Sequence, residues 1–390
     1  MSNLPKGWEE VKLGDFCDIL DNQRIPISSE KRAEIRGNIP YYGANGVQDY
    51  INDFIFNETL VLLAEDGGNF NDYQTRPIAY MIHGKSWVNN HTHVLRAKNG
   101  ENYFLFYSLV HKDITSFING GTRTKLNRGE LVKIPIFVPP LEEQKKIADI
   151  LSTVDKKIAF VEENINATEE LKKGLMQKLL TEGIGHTEFK DSELGRIPES
   201  WEVVQIKQLG LVVTGSTPKT ANKEFYENGI RLWASPSDLG KSKEIKNTAT
   251  KLSDLGFEQT RILPARSILV TCIGSTIGKI GIAYEEMSTN QQINSVVCNE
   301  KNYSDFYYYV LDQQKEYIKK LAGTQAVPLL NKTDFSMIKV IQAPLEEQKQ
   351  IAEILSTVDK KIENLKEKKQ SFEELKKGLM QKLLTGEVRV

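Results

Sequence analysis

The chain has 390 residues, 26% charged and 39% hydrophobic, a balance suited to a soluble protein of two or three domains. No apolar run nears the roughly 20 residues of a membrane helix, and MSNLPKGWEE lacks a signal-peptide core. The formal net charge of −1 argues against a broadly basic nucleic-acid-binding surface.

The first 140 residues carry 15 Lys/Arg and 16 Asp/Glu, and residues 185–343 carry 19 and 18. Any anion-binding face must therefore come from local clustering or be shared with a partner. Cys17, Cys272 and Cys298 are scattered and odd in number. They point to a reducing cytoplasm, away from a disulfide framework or a zinc cluster.

In chain order, short β-rich runs at 60–64, 78–82, 93–97 and 134–138 predict strands bounded by Gly, Asn, Asp or Pro. Residues 102–119 have helical spacing. Pro139-Pro140 then introduces a long helix over 141–181. Its apolar residues Ile147, Leu151, Val154, Ile158, Val161, Ile165, Leu175 and Leu179 recur mostly in steps of four and three, a heptad seam. Residues 183–200 read as a polar linker. Strands follow at 267–272, 279–284 and 295–298, and a helical pattern at 303–320. Pro344 introduces a second long helix, with Ile351, Leu355, Val358, Ile362, Leu365, Phe372, Leu379 and Leu383 on its seam. Lys172 and Lys376 interrupt the two seams near their ends.

The two long helices are copies. Residues 141–181 and 345–385 align without a gap, at about three identities in four, and differ mainly at 159–168 against 363–372. A narrow apolar stripe needs a partner, and the other copy supplies one. Each helix of 41 residues would be a rigid spacer roughly 60 Å long. The segments before the helices share anchors. Trp8-Glu9 answers Trp201-Glu202, and Gly121-Thr122 with Leu126-Asn127 answers Gly323-Thr324 with Leu330-Asn331. Between these anchors they have little in common. The expected fold class is α/β (α+β) domains alternating with two long antiparallel coiled-coil helices, in a pseudo-two-fold internal duplication. An enzyme would be expected to repeat its active site, whereas a bipartite reader would repeat its frame and vary its loops. The boundaries are 1–140 for the first domain, 141–183 for the first helix and 184–196 for a linker. The second domain takes 197–343, the second helix 344–385 and a tail 386–390.

Catalytic motifs fail on inspection. Asn38-Ile39-Pro40-Tyr41 lacks the first proline of an adenine-methyltransferase loop. Gly274 to Lys279 has one residue too few for a phosphate-binding loop, and Ile280 replaces its Ser/Thr. Asp238, Glu244 and Lys246 are too closely spaced for a nuclease metal site. His91 and His93, two apart on one strand, would share a face, but a metal site needs further ligands that the sequence pattern does not place. No catalytic or metal-ligating residue is assigned.

The whole frame resembles the specificity subunit of type I restriction–modification systems. The resemblance rests on LEEQKKIADILSTVDKKI, ELKKGLMQKLLT and GHTEFKDSELGRIPESWEVV. Further blocks are IPYYGANG, Glu65-Asp66-Gly67 and WVNNHTHVL in the first domain, and GSTP, RLWASPSDL, GSTIGKIG and NQQ in the second. It implies that each domain is a target recognition domain reading one half of a split double-stranded DNA site. The helices would set the spacing and dock two modification (methyltransferase) subunits, which two restriction (motor-nuclease) subunits join. S-adenosylmethionine, ATP and Mg would bind those partners and not this chain, which would be non-catalytic. The competing reading is a coiled-coil scaffold with two protein-binding heads.

Cations and amides on polar loops are the groups suited to DNA contact. In the first domain these are Arg24, Arg76, Asn89, Asn90, Arg123, Lys125 and Arg128. In the second they are Lys219, Arg231, Lys279 and Gln325. The segment from Arg123 to Arg128 packs three cations into six residues. Tyr41-Tyr42 and Trp233 are better suited to core packing than to base stacking.

Overall fold

The computed structural model describes residues 4–98, 101–120, 124–323 and 328–390. The chain divides into two compact units, Met1–Glu163 with Lys366–Val390, and Asn164–Leu365. The division falls near the middle of both long helices, Leu141–Leu179 and Leu345–Leu383. Each unit therefore holds one head, the first half of one helix and the last half of the other. None of the described helices is long and apolar enough to cross a membrane.

The prolines start both helices in the same way. Pro140 O accepts from Glu143 N and Gln144 N at 2.9 and 3.0 Å, and Pro344 O accepts from Gln348 N at 3.0 Å. The Gln144 and Gln348 side chains reach back to Pro139 O and Ala343 O at 2.8 and 2.7 Å. Glu142, Glu143, Glu346 and Glu347 place negative charge in the first turns, where the helix dipole favours it.

Within the first unit the helix halves run antiparallel. Lys376 pairs with Asp155 at 2.6 Å and Lys369 with Glu162 at 2.9 Å, so one heptad forward on one helix is one heptad back on the other. In the second unit Lys172 pairs with Asp359 at 2.7 Å. Each seam lysine is thus satisfied across the pair and also lies over a tyrosine of its own unit's head. Lys376 is 5.7 Å from the Tyr107 ring, and Lys172 is 5.7 Å from that of Tyr309. The tyrosine hydroxyls donate to the same carboxylates, Tyr107 to Asp155 and Tyr309 to Asp359, both at 2.6 Å.

The seam residues differ in depth. Ile147, Leu151, Val154, Val161, Ile165, Leu179, Ile351, Leu355, Ile362 and Leu383 are buried. Ile158, Leu175, Val358, Leu365, Phe372 and Leu379 are half-buried. The ends of the seams belong to the head cores as much as to the helix pair. Ile147, Leu151 and Leu383 pack with Trp8, Phe104 and Tyr107. Ile351, Leu355 and Leu179 pack with Trp201, Phe306 and Tyr309.

The heads share a sheet that their sequences hide. In the first, antiparallel strands lie in the order Cys17–Ile19, Thr92–Ala97, Leu60–Ala64, Ala79–Ile82. In the second the order is Gly210–Thr214, Ile293–Cys298, Ile268–Thr271, Ile280–Ala283, with Glu244–Ile245 added at the edge. Leu60–Ala64 and Ile268–Thr271 are central and buried throughout, which explains their unbroken apolar runs. A second small sheet in each head pairs parallel strands, Arg36–Gly43 with Lys85–Val88 and Arg231–Ala234 with Ser288–Thr289.

Three segments depart from the sequence reading. The polar linker contains a hairpin, Phe189–Ser192 with Gly195–Pro198. Gly195 turns it at φ +99°, and its buried residues, Ile197 and Pro198, are adjacent, so no alternating pattern announces the strands. The helix expected over 102–119 stops at Leu109, and a separate turn follows at Thr115–Phe117, where Asp113 Oδ1 accepts from Thr115 N at 3.0 Å. The helix expected over 303–320 is two, Ser304–Gln313 and Lys315–Leu321.

Burial pushes the thiols of Cys17 and Cys272 up to about 12 and that of Cys298 up to about 11. The native protein should leave a thiol-specific disulfide reagent unreduced at pH 8, and all three cysteines should react once it is unfolded. Rapid reaction of the native chain would contradict this packing.

Candidate nucleic-acid interface

The loops at one end of each head are joined by matching hydrogen bonds. In the first head, Asn89 N donates to Tyr42 O at 3.0 Å, and Asn89 Oδ1 accepts from His91 N at 2.9 Å. In the second, Asn290 N donates to Ala234 O at 2.9 Å, and Asn290 Oδ1 accepts from Gln292 N at 3.0 Å. Both asparagines are buried. The residue between, Asn90 or Gln291, is exposed at the tip. A Cβ on Gly215 would collide with the backbone of Thr289 and Asn290, so glycine lets the 215–218 loop lie against this turn.

The match extends below the turn. Glu65 N donates to His91 O and accepts Leu126 N on its own carbonyl, at 2.9 and 2.7 Å. Cys272 N donates to Gln292 O, and Cys272 O accepts from Leu330 N, both at 2.8 Å. His93 spans Asp21 Oδ2 and Leu126 O at 2.6 and 2.8 Å. Asn294 takes the same seat, accepting from Thr214 Oγ1 at 2.6 Å and donating to Leu330 O at 3.5 Å. One frame is filled with charge in the first head and with neutral groups in the second.

The charged filling is an ion-pair network. Glu65 accepts from Arg24 Nη1 at 2.6 Å and from Lys125 Nζ at 3.0 Å. Arg24 also donates to Asp21 O at 3.0 Å and Thr92 O at 2.8 Å. Burial alone would raise the Glu65 carboxyl, but the Arg24 and Lys125 bonds hold it below its usual range. Asp21 is likewise lowered against burial, by His93, Val94 N and Arg24. Single ligand atoms of Asp21, Glu65 and His93 lie within 4.8 Å of one another, a spacing that could hold a metal ion. Both His93 ring nitrogens already face oxygen acceptors, and Arg24 and Lys125 bring positive charge to the same carboxylates. The site is accounted for as a structural salt-bridge cluster.

This geometry sorts the sequence candidates. Arg24 and Asn89 are committed inward, one to the network and one to the turn. Lys125 is half-exposed beside Glu65. Asn90 and Arg128 are exposed. Arg76 is exposed and 3.9 Å from Asp72. In the second head Lys219 is exposed and Lys279 half-buried. Arg231 pairs with Asp254 at 2.7 Å and lies over Phe257. Arg123 and Gln325 lie outside the described residues, as do Gly121-Thr122 and Thr324. His91 and His93 do not share a face. His91 sits in the turn, exposed and 2.7 Å from Asp66, while His93 lies buried in the strand that starts at Thr92. Tyr41 and Trp233 are core residues.

Other residues in these loop clusters have no basic or aromatic signature. Asn45 Nδ2 ties the 43–46 turn to Gly67 O at 2.9 Å. Thr217 Oγ1 donates to Gln291 Oε1. Their sequence signals were the family blocks IPYYGANG, Glu65-Asp66-Gly67, GSTP and Asn290-Gln291-Gln292.

The family model for the type I restriction modification DNA specificity domain matches residues 5–170 and again 198–374. The type I restriction enzyme MjaVIII specificity subunit of Methanocaldococcus jannaschii is 32% identical, over 99% of this chain and 94% of that protein. The HindI specificity subunit of Haemophilus influenzae is 33% identical over 49% of this chain and 42% of that one. Among solved structures, the type I restriction–modification S subunit from M. genitalium superposes with a TM-score of 0.69 at 15% identity, covering 98% of this chain and 97% of that one. The two matched domains, laid on a duplicated frame, place this chain in the family of type I restriction–modification DNA specificity subunits.

Proposed function

We propose that the chain reads a split double-stranded DNA site, one half-site per head, and that the long helices set the gap between the halves. The observation that carries this reading is the shared loop frame with different fillings. A duplicated frame supplies two equivalent places to meet DNA, and divergent fillings let each place read a different sequence. Phosphate contacts from exposed cations such as Arg128 and Lys219 would supply much of the affinity, and a few base contacts the specificity.

Two modification subunits would dock on the helix surfaces. Leu171 and Leu375 occupy matching positions in the two copies and are 52% and 48% exposed. Gly174 and Gly378 have open space where a Cβ would stand. Glycine inside a helix costs about 1 kcal/mol relative to alanine, which fits a surface that a partner helix approaches closely. The chain itself would carry out no catalysis. Those partners would hold S-adenosylmethionine for adenine methylation, and two motor-nuclease subunits would bring ATP and Mg for cleavage.

The test is the gap. Removing one heptad from the middle of each long helix takes out about 10 Å of rise, close to three base pairs. The bases of both half-sites should stay the same while the gap between them shortens. Altered half-site bases at an unchanged gap would overturn the spacer role.

A further inference from the structure

We infer that Asn90 and Gln291 are equivalent specificity-determining residues, each offering an exposed amide to a base edge in its own half-site. This rests on the bipartite reading and adds to it a contact position in each head. Four observations converge. Both residues follow a buried asparagine whose side chain closes the turn beneath them, at 2.9 Å in the first head and 3.0 Å in the second. Both turns link the two sheets, since they follow the parallel-paired strands Lys85–Val88 and Ser288–Thr289 and lead into Thr92–Ala97 and Ile293–Cys298. Both turns are anchored from below by the same backbone donor position, Glu65 N or Cys272 N. The heads have diverged at most other loop positions, yet each presents a carboxamide at this tip.

The chemistry fits base reading better than phosphate binding. A carboxamide carries a donor and an acceptor side by side, the pattern that pairs bidentately with adenine N7 and N6 in the major groove, and it has no charge to attract phosphate. The supports beneath it limit the loss of loop entropy on binding. Arg24 Nη1 lies 3.5 Å from Asn90 O, and Thr217 Oγ1 donates to Gln291 Oε1 and holds that amide in place. Gln291 keeps its NH2 donors and a second lone pair for DNA. The cations expected to read bases are less suited. Arg24 is turned inward, and Arg231 is held by Asp254.

The experiment uses the full chain assembled with its co-expressed modification subunits. Wild type, Asn90→Ala and Gln291→Ala are each selected against a random duplex DNA pool, and the bound pools are sequenced. Asn90→Ala should relax one base position in one half-site, lowering discrimination there by about tenfold or more, with the other half-site unchanged. Gln291→Ala should do the same in the opposite half-site. Both side chains are exposed, so thermal melting should match wild type. An unchanged motif in both variants would overturn the inference while leaving the bipartite reading intact. Uniformly weaker binding with no change of motif would also overturn it, by assigning the residues to the DNA backbone. If wild type itself selected no split motif, the reading beneath would be what failed.

Discussion

Replacing Trp201 with alanine is expected to destabilise the second unit by about 3–5 kcal/mol. Trp201 has no exposed surface and is among the largest fully buried side chains. Its ring meets Phe306 edge-on at 6.4 Å, within the cluster that joins the second head to its helix halves. Its indole N–H donates to Glu347 Oε2 at 2.8 Å, while Ile184 N and His186 Nε2 reach Oε1 at 2.9 and 2.8 Å. The substitution leaves a cavity and removes one of three donors from a carboxylate at the helix start. Calorimetry should record a fall in the unit's melting temperature of the order of 10 °C. The matching change at Trp8 should cost less. Trp8 holds Glu143 at a longer 3.3 Å, and Arg389 already grips both oxygens of that carboxylate at 2.7 and 2.8 Å. Equal losses at the two tryptophans would show that ring volume alone decides the outcome.

Glu65→Ala should disable the first head's loops and spare the second's. Glu65 is the common partner of Arg24 and Lys125, and its side chain is 12% exposed. Removing it takes the shorter of two carboxylate partners from a largely buried guanidinium, leaving Asp21 at 3.5 Å, a change of about 2–3 kcal/mol. Arg24 also holds the backbone of Thr92, so the turn carrying Asn90 loses support. In a random-pool selection, one half-site should lose its sequence preference while the other keeps it. Acid should act on the same head. Asp21 and Glu65 have folded-state values below the usual carboxylate range, so their contribution is full above about pH 4 and is lost as pH falls through those lower values. The second head has Thr214 and Cys272 in these places, and its frame should be indifferent over that range. Joint loss of both half-sites in Glu65→Ala would contradict the separateness of the two frames.

What could be read from the residues follows from which interactions leave a pattern. Buried strands and heptad seams repeat, so Leu60–Ala64, Ile268–Thr271 and both long helices stood out before any coordinates. The seam lysines Lys172 and Lys376 were visible, but their partners were not, because Asp359 and Asp155 lie on the opposite helix and Tyr309 and Tyr107 in the heads. The loop frame was hidden for a different reason. Half of its bonds are made by backbone N–H and C=O groups, which any residue supplies, so Glu65 and Cys272 can do the same work. The remainder are exchanges such as His93 for Asn294, alike in hydrogen bonding and unlike in letter. Charge alone does not show what a cation faces: Arg24 is a cation in a loop, and its partners Asp21 and Glu65 come from separate parts of the sequence.

The most direct test of the central claim is selection of a random duplex DNA pool by the unmodified chain assembled with its modification subunits, at two salt concentrations. The account predicts two short conserved blocks separated by a gap of fixed length and free sequence, with overall binding weakening as salt rises. A single uninterrupted motif, or salt-sensitive binding with no motif at all, would contradict it.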